Sequence, residues 1–487
     1  MAIARTRRSP WHSPFAVACA GLLLLGATLC YSQTTSPAAS EVRAVTGFGC
    51  SSPLEFETIE PNHIRVTVPP GMSLDGWLFR LQGVAGKTVQ IDFTSEQSLA
   101  KWSTLNPVYA DGAMALDDPA LYAAGPSSGT TTTAARVKVP NAAGQRWHFI
   151  TNTKLLNKTT FTMMQTFDVD SVWVANRVPC TPGYNERFIR GLANNPLAKV
   201  VEIGRWQEGR PLLMVQIDGD GADEAALKSK DTLLIAGGEQ ATQPDGMWSS
   251  IGAIEFLLGD STAARRVRKR CRFLVIPMLD PDGTAHQAME LVNRFSFGSG
   301  LAAPAAYANF FRGWIDAGNR LDVVLEIHNV QSHECPHLSH AFIEGGVPRG
   351  TLAEALNTAI VTRFKAANLL YAPHTQTNDW PARRFGGWLS EHYGPILIVY
   401  EINAQDPTRH LDLSELKGTG ALFTEAAGDF LFSAAGTELS NVVDQVRAAR
   451  ERRRAGNPAT QTARDALEFE EAVRSRANPQ DTEPGGL

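Results

Sequence analysis

The sequence contains few cysteines and carries little net charge, and each of these features excludes a class of protein. Cysteine accounts for 6 of the 487 residues, and no two of them form a Cys-x-x-Cys pair, so zinc-finger spacing is absent. The formal net charge is only −5, which gives no reason to expect nucleic acid or an anionic membrane as a partner. With 43% hydrophobic and 20% charged residues the chain has an ordinary globular composition, and its length predicts two or more domains.

The amino-terminal segment has the layout of a secretory signal peptide. Three arginines among the first eight residues precede an apolar run over residues 15–30, and a polar stretch over residues 32–40 follows. We therefore expect a signal peptide over residues 1–32, cleaved after Ser32, and a secreted or periplasmic protein with no membrane partner after cleavage. A retained single-span anchor is the alternative, but the run is shorter than the roughly 20 apolar residues that such an anchor uses.

The cysteines beyond this segment are few and widely spaced. Cleavage after Ser32 would remove two of the six and leave Cys50, Cys180, Cys271 and Cys335. Four thiols allow three disulfide pairings, and the sequence does not select one of them.

Residues 43–175 carry short strand-like segments separated by glycine and proline. The stretch from Ile64 to Val68 alternates apolar and polar side chains, which is typical of a strand with one buried face. A segment rich in threonine and valine at residues 130–139, and a further segment at residues 159–167, continue this pattern. Several short strands with regular turns predict an antiparallel β-sandwich domain.

From residue 176 onward, strand-like and helix-like segments alternate. A hairpin is predicted from residues 200–203 and 212–217, and four short apolar strands follow at residues 233–236, 273–278, 323–327 and 396–400. This alternation predicts an α/β domain over residues 176–432, with a mixed central sheet flanked by helices. Residues 433–487 form a charged tail, predicted to be helical over residues 442–454 and disordered at its end.

Several ordered motifs resemble those of the zinc carboxypeptidases, in particular the cytosolic-carboxypeptidase-like branch that carries an amino-terminal sandwich. The turn Pro-Met-Leu-Asp-Pro-Asp-Gly at residues 277–283 is similar to the family's Pro-x-x-Asn-Pro-Asp-Gly, with Asp280 in place of asparagine. Two strands end in a polar residue of the type the family uses, one at His328 and one at Glu401. The resemblance implies enzymes that use zinc-activated water to remove C-terminal residues from peptides or proteins.

The resemblance also assigns roles to individual residues. His328 matches a zinc ligand, and Glu401 matches the catalytic general base at the end of a buried strand. Asn293 and Arg294 match a pair that binds the terminal carboxylate of the substrate. The remaining two ligands of the family come from a His-x-x-Glu motif after an early strand, where this chain has Gln240 and Gln243.

Glutamine at both positions decides what we expect of the mechanism. A glutamine amide is neutral and is a poor zinc ligand, so the substitutions should weaken or abolish metal binding and activity. Glu239 is ionisable, but it is shifted by one residue and is expected to point away from the site. A dense group of potential ligands follows His328, namely His333, Glu334, His337 and His340.

Three hypotheses for function follow. The first is a carboxypeptidase-like protein with a degenerate metal motif, a pseudoenzyme with no cofactor. The second is an active hydrolase whose zinc site is relocated to His328 with Glu239 or the downstream histidines. The third is a non-catalytic protein that binds a peptide or carboxylate through Arg294. Metal content of the purified protein separates the second hypothesis from the others.

Overall fold

A computed structural model describes residues 41–123, 130–132, 137–140, 144–218, 224–288, 301–330, 336–343, 349–370, 375–377 and 384–456. The predicted signal peptide lies outside these residues, as do Asn293, Arg294, His333, Glu334 and Cys335. The backbone of His340 is described, but its side chain is not. The roles predicted for these side chains stay predictions.

The first part of the chain folds into two facing sheets of five strands each. One sheet has the order β1-β4-β12-β6-β9, the other has the order β10-β11-β5-β3-β2, and β7 and β8 form a separate pair. The strands are β1 Arg43–Val45, β2 Glu55–Glu60, β3 His63–Val68, β4 Leu78–Gln82, β5 Lys87–Ser95, β6 Val108–Asp111, β7 Thr130–Thr132, β8 Lys138–Pro140, β9 His148–Phe149, β10 Asn152–Asn157, β11 Thr160–Phe167 and β12 Ser171–Ala175.

Side-chain alternation explains why these strands pair face to face. In β3, Ile64, Val66 and Val68 are buried while the residues between them are exposed. Aromatic rings fill the space between the sheets, with the centroids of Trp77 and Phe93 only 4.7 Å apart. The predicted sandwich is confirmed, and its pairing is antiparallel apart from the parallel pair β3–β5.

The second part contains a mixed sheet of eight strands in the order β13-β14-β16-β15-β17-β20-β18-β19. The strands are β13 Ala198–Arg205, β14 Pro211–Ile217, β15 Asp231–Gly237, β16 Cys271–Ile276, β17 Val323–Asn329, β18 Leu338–Ile343, β19 Thr375–Thr377 and β20 Ile396–Ile402. The described helices are α1 Pro182–Gly191, α2 Glu224–Ser229, α3 Pro244–Leu258, α4 Thr262–Arg270, α5 Pro281–His286, α6 Ala302–Asp316, α7 Arg349–Ala366, α8 Phe385–Tyr393, α9 Leu413–Leu431 and α10 Ala434–Gly456. The predicted α/β class, the hairpin and the four apolar strands are confirmed.

The centre of this sheet is parallel, which fixes where its polar residues meet. Strands β16, β15, β17 and β20 run in the same direction and are almost completely buried. Helix α3 lies so close to β17 that a Cβ atom on Gly246 would stand 1.9 Å from the carbonyl oxygen of Ile327. The carboxyl ends of the parallel strands therefore share one edge, where open α/β sheets place their ligand sites.

The sandwich and the α/β sheet are held together by buried polar contacts. Arg177, directly after the sandwich, donates to Asp245 in the first turn of α3 and to the carbonyl of Val330, at 3.1 Å. Gln405 links the two parts again, because its amide donates to the carbonyl of Asn176 at 2.7 Å and accepts from the backbone of Asn106 at 3.0 Å. One hydrophobic cluster also runs through both parts.

The described cysteines and helices settle two smaller points. Cys50, Cys180 and Cys271 are all buried as free thiols, so no disulfide joins these three. Among the described helices, none is long and apolar enough to cross a membrane.

Candidate metal centre

Three potential metal ligands come from two neighbouring strands of the parallel sheet. Glu239 follows β15 by two residues, while Glu326 and His328 both lie on β17. Residues two apart on a strand point to the same face, so Glu326 and His328 share one side of the sheet. The register pairs Ala236 with Glu326, which brings the residues that follow β15 alongside them.

The ligand atoms of these three residues form a small buried group, called here the Glu-Glu-His cluster. One atom each from Glu239, Glu326 and His328 all lie within 4.8 Å of one another. The residues are only 1%, 1% and 2% exposed, respectively. The closest contact is between His328 Nε2 and Glu239 Oε2, at 3.6 Å. Such separations bring the three donors within reach of one common ion.

The start of helix α8 holds both carboxylates in position. The backbone N–H of Phe385 donates to Glu239 Oε1 at 3.2 Å, and that of Gly386 donates to Glu326 Oε1 at 2.9 Å. A Cβ atom on Gly386 would stand 2.8 Å from Glu326 Oε2, so glycine permits this close approach. Free N–H groups at a helix start favour anions, and here they orient the two acidic side chains.

The charge states of the cluster follow from its burial. Burial raises the pKa of Glu239, while the guanidinium of Arg384, whose Nη1 lies 3.3 Å from Glu239 Oε2, lowers it. Burial and then Arg384 lower the pKa of His328 to about 3. His328 is therefore a neutral imidazole at neutral pH, which is the form that binds metals.

The donor set suits a divalent metal. Imidazole nitrogen and carboxylate oxygen are both ordinary zinc ligands, and catalytic zinc sites use three protein ligands. Each carboxylate is also anchored through one oxygen by a backbone N–H, as expected for the groups that orient metal ligands. The residues present therefore fit a zinc ion.

Gln243 has a different set of contacts. Its Oε1 accepts a hydrogen bond from the backbone of Asn329 at 3.0 Å, and its Nε2 donates to Asp75 of the sandwich at 3.3 Å. The residue is 4% exposed and immediately precedes α3. Gln240 is partly exposed, and its carbonyl accepts from the backbone of Gln243 at 3.0 Å. The amide of Gln243 thus connects the sandwich to the end of the His328 strand.

Glu401 lies next to the cluster on strand β20, where it is in register with His328. Burial, and then the nearby carboxylate of Asp75, raise the pKa of Glu401 to about 8, while Arg384 and Lys101 lower it. The family role of Glu401 as a general base stays a prediction. What is shown is that the backbone of Glu401 pairs with that of His328, and that Arg384 influences both Glu401 and Glu239.

The expectation that Glu239 points away from the site is wrong. Gly238 adopts a φ of +68°, a backbone conformation that glycine allows, and this turns the chain directly after β15. Glu239 consequently faces His328. Glu326 is not among the ligands predicted from the sequence, although its spacing of two residues from His328 on a strand was a usable signal. His337 is bonded through Nδ1 to the carbonyl of Asn403, at 3.0 Å, and lies outside the Glu-Glu-His cluster.

Comparison with known proteins finds similarity to carboxypeptidases in sequence, and a shared fold in structure. A family model for the zinc carboxypeptidases matches residues 186–298. Cytosolic carboxypeptidase 2 of Danio rerio is 28% identical over 134 residues, which is 27% of this chain and 19% of that protein. The Homo sapiens protein of the same name is 25% identical over 128 residues, covering 26% of this chain and 14% of the relative. The chain thus matches less than a fifth of the length of these curated relatives.

Solved structures share the fold over a larger part of the chain. A metallo-carboxypeptidase from Burkholderia cenocepacia superposes with a TM-score of 0.61 and 18% identity, over 80% of this chain and 99% of that one. A metallo-carboxypeptidase from Pseudomonas aeruginosa, in complex with (2-guanidinoethylmercapto)succinic acid, gives a TM-score of 0.60 and 15% identity over 80% and 99% of the two chains. The family model thus identifies residues 186–298 as similar to the zinc carboxypeptidases, and the solved structures show that the chain shares the fold of metallo-carboxypeptidases.

Proposed function

We propose that this protein is a metal-dependent peptide hydrolase whose zinc would be held by Glu239, Glu326 and His328, not by the two glutamines. The observation that carries the proposal is the Glu-Glu-His cluster, with three buried donor atoms within 4.8 Å of one another. The substrate class implied by the family is the C-terminus of a peptide or protein. The cluster therefore favours the relocated-site hypothesis over a degenerate site.

The electrostatics of the cluster support a bound cation. Two carboxylates that are removed from water and brought together repel each other, and each is costly to bury without compensation. A divalent ion shared by both would offset that cost. Arg384 already places one positive charge against Glu239.

The chain's own residues would supply positioning and proton transfer. Bound zinc would lower the pKa of a coordinated water and so make it a nucleophile at neutral pH. Burial raises the pKa of Glu401 to about 8, and a cation bound nearby would lower it again, so that its carboxylate would accept the proton of that water. Helix α8 would keep Glu239 and Glu326 fixed through the N–H groups of Phe385 and Gly386.

Metal content after purification and dialysis against zinc tests the proposal. We expect about one equivalent of zinc in the parent protein and much less in the Glu239→Gln and His328→Ala variants. A site with three protein ligands loses most of its zinc affinity when one of them is removed. Gln240→Ala is the matched control and should keep its metal. Glu401→Gln should also keep its metal while hydrolysis of a C-terminal residue falls by about 10²-fold or more. A parent protein that retains almost no zinc would overturn the relocated site.

A second candidate uses the same cleft without hydrolysis. Arg384 lies 3.3 Å from Glu239 Oε2 and also lowers the pKa of Glu401, so it can supply the local positive charge by itself. The protein would then hold a peptide or a carboxylate in a metal-free cleft. In that case the parent protein contains no zinc, yet binds a peptide by calorimetry, and Arg384→Ala weakens that binding.

We also propose that the protein is exported, on the basis of the amino-terminal segment alone. The curated relatives carry a cytosolic name, so the location of this chain needs its own test. Sequencing the amino terminus of the protein made in its natural host should give a mature chain that begins at about Gln33, by the usual layout of signal cleavage. A mature chain that keeps the arginines of its first eight residues would contradict export with cleavage.

A further inference from the structure

Arg384 lies directly before helix α8, against the Glu-Glu-His cluster. Its Nη1 is 3.3 Å from Oε2 of Glu239. The same oxygen is 3.6 Å from Nε2 of His328, whereas Oε1 of Glu239 accepts from the backbone of Phe385. The oxygen of Glu239 that is close to His328 is therefore also the oxygen that the guanidinium contacts.

The positive charge of Arg384 acts on two of the three residues of the cluster. Burial raises the pKa of Glu239 and lowers that of His328, and after burial the guanidinium of Arg384 lowers both. Lys101, from the sandwich, is a different case. Burial raises the pKa of Glu401, and both Arg384 and Lys101 lower it, but Lys101 is not among the groups that shift Glu239 or His328. Arg384 is thus the cation that acts on the cluster itself.

The acids around the cluster have the opposite effect on a bound cation. Burial, and then Asp75, raise the pKa of Glu401. Burial, and to a smaller extent Glu239, raise the pKa of Asp280 to about 8. Carboxyl groups attract a nearby metal ion when they are ionised. Among the described residues, Arg384 is therefore the group in contact with the cluster that would repel such an ion.

The side chain of Arg384 is not what holds the two carboxylates in place. Glu239 and Glu326 are oriented by the backbone N–H groups of Phe385 and Gly386. The Arg384 side chain makes no capping hydrogen bond to helix α8, and it is 23% exposed. A change of this side chain would leave those backbone contacts intact. Its effect on the cluster is therefore electrostatic.

A metal ion and the guanidinium would share one carboxylate oxygen. Like charges repel, and they do so more strongly in a buried site than in water. We propose that Arg384 limits the affinity of the Glu-Glu-His cluster for a divalent cation, because it competes with that cation for Oε2 of Glu239. This inference rests on the proposed function, since it requires the cluster to be a metal site.

Zinc affinity, measured on the full chain by competition with a chromophoric chelator at one fixed pH, tests the inference. We expect Arg384→Gln to bind zinc about tenfold more tightly than the parent, because the competing charge is gone. Arg384→Lys keeps the charge and should stay within about threefold of the parent. Lys101→Gln is the matched control. It removes a cation that acts on Glu401 but not on the cluster, so it should bind zinc as the parent does.

The outcomes separate this inference from the function on which it rests. Zinc binding that is equal in Arg384→Gln and in the parent, or weaker in the variant, would overturn the inference alone, because the cluster would still be a metal site. An equal gain in Lys101→Gln would also overturn it, since the effect would then be general to the cleft. Absence of zinc binding in both the parent and Arg384→Gln would overturn the inference together with the proposed function.

A measurement on the parent covers the case in which Arg384→Gln does not fold. Coupling between two binding equilibria is reciprocal, so a zinc ion that is repelled by the guanidinium must weaken the contact of Arg384 with Glu239. Phenylglyoxal modifies arginine side chains, and that of Arg384 is 23% exposed. We expect saturating zinc to speed modification of Arg384 about threefold, read by mass spectrometry, and to leave the exposed Arg187 of α1 unchanged. Modification of Arg384 that is unchanged or slower with zinc would refute the competition.

Discussion

Asp280 is a buried carboxyl group in the position where the related turn has asparagine. Its Oδ1 accepts from the backbone of Gly283 at 2.7 Å, and Oδ2 has no hydrogen-bond partner among the described residues. Burial, and then the neighbouring carboxylates of Asp282 and Glu239, raise its pKa from 3.8 to about 8, while the Gly283 N–H and Arg210 lower it. Asp280 is thus mostly protonated at neutral pH, and it is then uncharged like the asparagine of the related turn.

This raised pKa gives a stability prediction with a definite sign. The folded state binds the proton more tightly than the unfolded state, so the contribution of Asp280 is fully present below about pH 4 and is lost as pH rises toward about 8. Asp280→Asn removes the titration. We expect the variant to gain about 1–3 kcal/mol relative to the parent at pH 8, and much less at pH 5. Urea unfolding at the two pH values checks this, and an equal difference at both would contradict it.

The loop between β15 and α3 is the element where sequence reasoning was least complete. Short apolar runs were enough to predict β15, β17 and β20, and their parallel order explains why His328 and Glu401 pair across neighbouring strands. The direction of Glu239 could not be predicted, because it depends on the φ angle of Gly238. The contact between Gln243 and Asp75 could not be predicted either, because the two residues are 168 positions apart in the sequence. Asp75 lies in a loop of the sandwich, and Gln243 lies in a loop of the α/β domain.

The contacts of Gln243 predict that this loop depends on its amide. Gln243→Ala would remove the acceptor of the Asn329 N–H and the donor to Asp75, and would leave a buried N–H without a partner. We expect the free energy of unfolding to fall by about 1–3 kcal/mol and the Asn329 amide to exchange faster with solvent. Gln240→Ala is the control, because it makes the same substitution in the same loop. It should leave the free energy of unfolding nearly unchanged, since Gln240 is partly exposed. Equal losses in both variants would assign the effect to the loop in general.

At the scale of the whole molecule, the sandwich and the α/β sheet share one interior. Trp147 and Trp173 from the sandwich belong to the same hydrophobic cluster as Leu233 and Val323 from the central strands. The predicted boundary at residue 175 therefore falls where β12 leads into buried structure, as Asn176 and Arg177 are 1% and 4% exposed. The change from strand-like segments to alternating strands and helices could be predicted from the sequence. The hydrophobic cluster that the two parts share could not, because it depends on how they pack.

The buried pair of Arg177 and Asp245 tests how strongly the two parts depend on each other. Arg177→Met would leave the Asp245 carboxylate buried without its guanidinium, which typically costs about 3–5 kcal/mol. We expect the loss in a single unfolding transition seen both by tryptophan fluorescence and by far-ultraviolet circular dichroism. The double variant Arg177→Met with Asp245→Leu should recover much of the loss. Two separated transitions in the parent would instead indicate parts that unfold independently.

The buried cysteines can be used to detect where the folded molecule opens. Cys50, Cys180 and Cys271 are 3%, 2% and 0% exposed, and burial raises the pKa of each, so none of the three presents a thiolate to a reagent in solution. With Cys335 replaced by serine, a thiol-specific label can reach these positions only when the surrounding structure opens. Cys50 and Cys180 would report the junction with the sandwich, and Cys271 would report the first residue of β16. The time course of labelling at each cysteine, read by mass spectrometry, would therefore show which part of the chain opens first.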